Sequence, residues 1–226
     1  MSRVIAVVQA RLGSSRLPGK VLAEIAGRPM LAHVLERALG IKGVSRVILT
    51  TPIKDMGSIA LAVGPPVMDE ISWQMQYPPD VLRAFRAAAL VEEADYLVRI
   101  TGDCPLLDPE LCGKVLKRTI SERVYVTNAQ ESSFGLDCQA FPRDVLEAAH
   151  HRAKGSDREH VCPWMERGVF AYQPLPREVA QVHWAVDTQE DLDRVRAIYA
   201  HLNTGDFSWQ ATLKAAEEAG ACGSGD

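Results

Sequence analysis

Val4-Ile5-Ala6-Val7-Val8 runs directly into Gln9-Ala10-Arg11-Leu12-Gly13-Ser14-Ser15-Arg16-Leu17-Pro18-Gly19-Lys20 near the start of the chain. A continuous apolar, β-branched run with no polar alternation predicts a central strand covered on both faces, as in a parallel sheet. The polar stretch after it, with Gly13, Pro18 and Gly19, predicts a loop at the strand's carboxyl end. Open α/β sheets bind their ligands there. Glycine lets the backbone come close, Ser14, Ser15 and backbone amides can donate hydrogen bonds, and Arg11, Arg16 and Lys20 can offset phosphate charge. The competing reading is a solvated basic turn, since charged surface loops are common. Spacing removes two familiar phosphate loops. Five residues separate Gly13 from Gly19 and Val21 follows Lys20, so this is not a Walker A loop, and no G-x-G-x-x-G is present.

Working outward, strands alternate with helices. A helix opens at Pro29 with Leu31, Val34, Leu35, Ala38 and Leu39 on one face and ends at Gly40. Residues 44–50 predict a second strand; residues 51–79 carry no clean period and predict a loop with one short helix at 58–63. A helix from Pro79, a strand at 96–100, a helix from Pro109 and strands at 124–127 and 136–141 follow. Helices at 143–153 and 157–167, strands at 169–173 and 182–186, and helices at 189–202 and 208–219 complete the pattern. Such alternation implies a mostly parallel sheet with helices on both faces, an α/β fold of three αβα layers. We expect one domain over residues 1–220 and a flexible tail at 221–226.

Composition narrows the function classes. The 226 residues are 47% hydrophobic and 24% charged, an ordinary globular balance. The net charge of −4 gives no reason to expect nucleic acid or an anionic membrane as a partner, so any basic site is made by placement. No stretch approaches the ~20 apolar residues of a membrane span. Five scattered cysteines without a C-x-x-C pair argue against a zinc site or a disulfide framework and fit reduced thiols in the cytoplasm. The four tryptophans form no spaced stacking platform and predict packing instead, with the stretch around Trp164 open to an interface.

The string from Val8 to Leu22 resembles the A-R-x-x-S-x-R-L-P-x-K signature of cytidylyltransferases of the CMP-Kdo synthetase and acylneuraminate type. Three further blocks in order, Gly102-Asp-Cys-Pro-Leu-Leu-Asp-Pro109, Gly135-Leu-Asp with Arg158-Glu-His-Val161, and Val186-Asp-Thr-Gln-Glu-Asp-Leu192, make it most similar to the spore-coat polysaccharide biosynthesis protein F branch. The resemblance implies a nucleotide-diphospho-sugar transferase fold of Rossmann-like type. The activity it implies is transfer of CMP from CTP, or of a nucleotide from another NTP, to a sugar or sugar acid with release of pyrophosphate, in polysaccharide biosynthesis. It implies a nucleotide site of Gln9, Ala10, Arg11, Gly13, Ser14, Ser15, Arg16, Lys20, Arg99, Thr101 and Asp103, with Arg11, Arg16, Lys20 and Asp103 doing the catalytic work. It implies Mg2+ on Asp103 and Asp187, an acceptor site near Asp137, Arg158, Glu159 and His160, and a homodimer as the common assembly.

Residue physics alone leaves several of these open. Asp103 follows a strand end, where a carboxylate can meet a metal-bound phosphate, and magnesium needs only one or two protein carboxylates. Asp187 has the same placement, yet Asp187 or Thr188 could equally cap the following helix. Asp108, just before Pro109, reads as a cap. Arg158, Glu159 and His160 could decorate an exposed helix, and the other histidines show no ligand spacing. Met75-Gln-Tyr-Pro-Pro-Asp-Val-Leu82 keeps the Asp-Val-Leu of the spore-coat branch but not its Gly-Ser-Glu, leaving base choice open. Two other classes compete: a glycosyltransferase, although Asp103 is followed by Cys104-Pro105 rather than a D-x-D motif, and a non-catalytic nucleotide-binding relative.

Overall fold

The computed structural model describes residues 2–76, 80–129, 135–179, 182–203 and 205–221. Strand β1 (Val4–Gln9) leads through the glycine-containing loop and a short 3-10 turn (Lys20–Leu22) to a two-strand hairpin, β2 (Glu24–Ile25) and β3 (Arg28–Pro29). Helix α1 (Met30–Leu39), β4 (Arg46–Pro52), α2 (Ile53–Val63), β5 (Ser72–Gln76), α3 (Val81–Val91) and β6 (Tyr96–Thr101) follow. The second half contains α4 (Pro109–Glu122), β7 (Tyr125–Thr127), β8 (Gln139–Pro142), α5 (Arg143–Arg152), α6 (Ser156–His160), α7 (Pro163–Glu166), β9 (Phe170–Tyr172), α8 (Gln189–His201) and α9 (Trp209–Glu218).

Seven strands form one sheet in the order β5-β4-β1-β6-β8-β7-β9. It is parallel except at β8, which runs antiparallel to both β6 and β7. The apolar run of β1 sits in the middle and serves both faces. Val4, Ala6 and Val8 join one core with residues of α1, α4, α8 and α9; Ile5 and Val7 join the other with residues of α3 and α5. This is the three-layer α/β arrangement that the strand and helix alternation predicts. Among the described residues no helix is long and apolar enough to cross a membrane.

Several elements differ from the sequence reading. Helix α2 starts directly after β4 rather than at residue 58, and the stretch expected to be loop contains edge strand β5, paired with β4 from Ile48↔Ser72 to Pro52↔Gln76. An edge strand of mixed polarity has neither an apolar run nor clean alternation to betray it. Residues 182–186 form no strand: Trp184, Ala185 and Val186 are buried because Trp184 fills the core and Val186 donates its N–H to the Asp103 carbonyl at 2.9 Å. Burial without pairing imitates a strand in sequence. The helix expected at 157–167 is broken in two, because Val161 turns at φ 71° and Pro163 must begin a new turn. Strand β8 starts at Gln139, not residue 136. Pro79 and the tail from residue 222 lie outside the described residues; α3 is capped by Asp80, whose side chain accepts from the Arg83 N–H.

Candidate active site

The β1 loop is held in place by its apolar residues, which frees its polar ones. Leu12, Leu17 and Leu22 pack on the core, and the Leu12 carbonyl accepts from the N–H groups of Ser14 (3.0 Å) and Gly19 (2.9 Å). The carboxylate of Asp55, buried on α2, accepts from the Leu12 N–H at 3.0 Å and ties the loop to the β4 side of the sheet. Gly102 lets the turn after β6 come against β1. A Cβ there would lie 2.9 Å from the Ala10 Cβ, and its N–H reaches the Gln9 carbonyl at 2.8 Å. Between loop and turn lies a cleft of about 380 Å3, lined by Arg11, Gly13, Ser14, Ser15, Arg16 and Lys20 on one side and Thr101, Asp103, His160 and Asp187 on the other.

The Lys20 ammonium sits among three oxygens: Asp103 Oδ2 at 2.7 Å, the Val186 carbonyl at 2.8 Å and Asp187 Oδ1 at 2.9 Å. Arg16 adds a second cation, 3.0 Å from Asp187 Oδ1. Burial works against the charge of Lys20, but the carboxylates of Asp103 and Asp187 outweigh it and hold its pKa above the usual lysine value. Burial likewise opposes ionisation of Asp103, and Lys20 reverses the sign, leaving that carboxyl below its ordinary range. The ambiguity at Asp187 is resolved by its neighbours. Thr188 caps α8 in a capping box with Asp191, and the same Asp191 oxygen that accepts from the Thr188 N–H also accepts from the Asp187 N–H at 3.0 Å, so the Asp187 side chain is left to face the cleft.

This oxygen-only donor set, already gathered around a cation, suits a hard divalent ion. Among the described residues no group of three or more His, Cys, Asp or Glu could hold a metal by itself. Two carboxylates would therefore need ligand oxygens, such as phosphate, to complete a shell.

A second cleft of about 750 Å3 adjoins the first and shares Thr101, Asp103 and Asp187 with it. Asp137 lies in its wall, with one carboxylate oxygen accepting from the Gly135 N–H at 2.7 Å and the other from Gln139 at 3.3 Å. Burial pushes the Asp137 pKa up, partly offset by the Gly135 bond and by Arg99. Gly135 is required by contact: at φ 109° its backbone lies so close to Trp184 and Ala185 that a Cβ would fall 2.3 Å from the Ala185 nitrogen. That contact carries Asp137 to the same wall as Asp187.

A cytidylyltransferase family model matches residues 5–213. The chain belongs to the cytidylyltransferase family. A 3-deoxy-manno-octulosonate cytidylyltransferase from Anaeromyxobacter sp. (strain K) is 34% identical over 228 residues, covering 88% of this chain and 86% of the relative. A cytidylyltransferase structure from Leptospira borgpetersenii superposes with a TM-score of 0.87 at 24% identity, over 100% of this chain and 98% of that one. A CMP:2-keto-3-deoxy-manno-octonic acid synthetase, solved with CTP, superposes at 0.64 with 22% identity, over 88% and 99% of the two chains. These structures share the fold of this cytidylyltransferase.

Of the residues singled out from sequence, this cytidylyltransferase brings Gln9, Ala10, Arg11, Gly13, Ser14, Ser15, Arg16, Lys20, Thr101, Asp103 and Asp187 around the first cleft. Arg99 lines the second cleft instead, with Asp137. The Arg158-Glu159-His160 group divides. His160 lines the first cleft; Glu159 pairs with Arg11 at 3.0 Å; Arg158 turns to Asp80 at 2.7 Å and to the His150 carbonyl. None of the three lines the second cleft with Asp137. Sequence reasoning missed Thr127, Gln139, Glu166 and Tyr172, which line that cleft. The alternation of β7, β8 and β9 carries the signal for Thr127, Gln139 and Tyr172, because each strand turns a polar residue to the face where its neighbours are apolar. Glu166 had none.

Proposed function

We propose that this cytidylyltransferase transfers CMP from CTP to a hydroxyl of a sugar acid and releases pyrophosphate, supplying an activated sugar for surface polysaccharide assembly. The observation that carries the reading is the pair of clefts meeting at Asp103 and Asp187, one lined by cations and loop amides, the other by hydrogen-bonding side chains. The 3-deoxy-manno-octulosonate relative supports the acceptor class.

Arg11, Arg16 and Lys20 bind the β- and γ-phosphates, and the amides of residues 13–15 add hydrogen bonds. Lys20 leaves the two carboxylates for the phosphates as the nucleotide enters. Asp103 and Asp187 would hold a divalent cation, magnesium in our reading, which when bound would supply charge neutralisation at the α-phosphate and lower the pKa of the acceptor hydroxyl. The hydroxyl oxygen forms its bond to the α-phosphorus as the bond to the β-bridging oxygen breaks. Pyrophosphate departs with its charge held by the loop cations. The hydroxyl proton passes to Asp137, whose burial raises its affinity for one. Positioning and charge stabilisation do most of the work.

The test is pyrophosphate release with CTP, Mg2+ and 3-deoxy-manno-octulosonate or related acids, run against ATP, GTP and UTP. Lys20→Ala and Asp103→Asn are each expected to lower turnover by about a hundredfold or more with the folded state retained, as read by circular dichroism. Full turnover in both variants, or consumption of a nucleotide-sugar in place of CTP, overturns the assignment.

A further inference from the structure

The floor of the second cleft is a row of side chains in strand register. Arg99 of β6 pairs with Gln139 of β8, Gln139 with Thr127 of β7, and Thr127 with Tyr172 of β9. All four line the cleft. One step further from the site the same faces of these strands carry Leu97, Phe141 and Tyr125, which pack in the apolar core. The sheet face therefore changes from apolar to hydrogen-bonding where the cleft begins.

Arg99 is the cation in that lining. Its guanidinium meets only neutral partners: Nη1 donates to Gln139 Oε1 at 2.7 Å and Nη2 reaches Gln9 Oε1 at 3.5 Å. Its Nε is buried with no partner among the described residues, and none of their carboxylates forms an ion pair with it. Asp137 makes no ion pair with it: Gln139 bridges the two, and the carboxylate acts on the guanidinium only from a distance. A sheltered charge with no counter-ion in contact costs stability, and an arginine fork suits a carboxylate. The remaining charged lining residues, Asp103, Asp137, Glu166 and Asp187, are all acidic. An anionic group entering the cleft is repelled elsewhere and attracted at Arg99.

Resting on the nucleotidyl-transfer reading above, we infer that Arg99 anchors the carboxylate of the acceptor, while Gln139, Thr127 and Tyr172 run beneath its hydroxyls. Arg99 is then a specificity residue for the acceptor rather than part of the nucleotide site. Its position orients the acid, with the anion at β6 and the reacting hydroxyl toward Asp103 and Asp187.

The experiment titrates 3-deoxy-manno-octulosonate, its carboxyl-reduced alcohol and, separately, CTP with Mg2+ into wild type, Arg99→Gln and Arg99→Lys by calorimetry. Wild type is expected to prefer the acid over the alcohol by about tenfold or more, the size of one charge-assisted hydrogen bond. Arg99→Gln loses the preference, Arg99→Lys recovers part of it, and CTP affinity stays within about twofold in all three, on the same scale. Equal wild-type affinity for acid and alcohol, no binding of either, or a preference retained in Arg99→Gln overturns the inference. So does a large loss of CTP affinity in Arg99→Gln, which would return Arg99 to the nucleotide. Failure of wild type to bind CTP would instead sink the underlying reaction, independently of how the acid and alcohol behave.

Discussion

Lys20 stands where a cation is wanted. Its ammonium lies within 3.0 Å of oxygens from both aspartates and from the Val186 carbonyl, so in the free protein it neutralises the carboxylates that we assign to a divalent ion. A resident cation competes with an incoming one, and charges this close interact by several kcal/mol even at an effective dielectric of about 20. Lys20→Met is therefore expected to bind Mn2+ about tenfold or more tightly than wild type without nucleotide, read by paramagnetic resonance of the free ion. Weaker or equal binding would show that Lys20 does not screen the pair. Inorganic tripolyphosphate should narrow the difference, because it gives the wild-type lysine another anion.

At the scale of elements, the site depends on how strands and helices end. Asp187 faces the cleft because Thr188 and Asp191 satisfy the first turn of α8, leaving no capping task for Asp187. Thr188→Ala is expected to cost about 1 kcal/mol, typical for a lost N-cap, measured as a lower denaturant midpoint. Turnover at low divalent concentration should fall with it as Asp187 loses its fixed position; an unchanged midpoint would show that Asp191 holds the turn alone. Much of this level was legible beforehand. The cap at Asp108 was readable from Asp-Pro and is realised by two N–H bonds, from Glu110 at 2.6 Å and Leu111 at 3.0 Å. The break at Val161 was not readable, because nothing about a valine announces a left-handed turn. Arg158, Glu159 and His160 face three different ways because they are consecutive residues of the short helix α6, about 100° apart around its axis.

For the whole molecule, the sheet separates two apolar cores, and polar groups buried in them give stability its pH dependence. His33 of α1 is buried, its Nε2 2.8 Å from the Ile25 carbonyl and its ring 4.6 Å from that of Tyr199 on α8. Burial lowers its pKa below the ordinary 6.5, partly countered by the Ile25 carbonyl. The native state thus holds the neutral ring where the unfolded chain takes up a proton. This contribution is fully present above pH 6.5 and is lost as pH falls from 6.5 toward the folded value. Melting temperature should decline over that window in wild type, and His33→Gln should flatten the slope. Asp103, lowered from 3.8 by Lys20, acts in a separate window: its contribution is present above 3.8 and is lost only as pH falls below it.

What the sequence determined by itself was the order of layers and the position of the glycine-containing loop after β1. A β-branched run, its loop cations and the caps of successive helices are local signals, carried by residues close together in the chain. The acid pair was nameable only through resemblance, since local physics could not separate a metal ligand from a helix cap. Tertiary structure alone decided the second cleft. Gly135 meets Trp184 and Ala185 across the fold, and Arg99, Gln139, Thr127 and Tyr172 align through strand register. Register is a relation between distant segments, set by which faces the core buries, and no single stretch of chain encodes it.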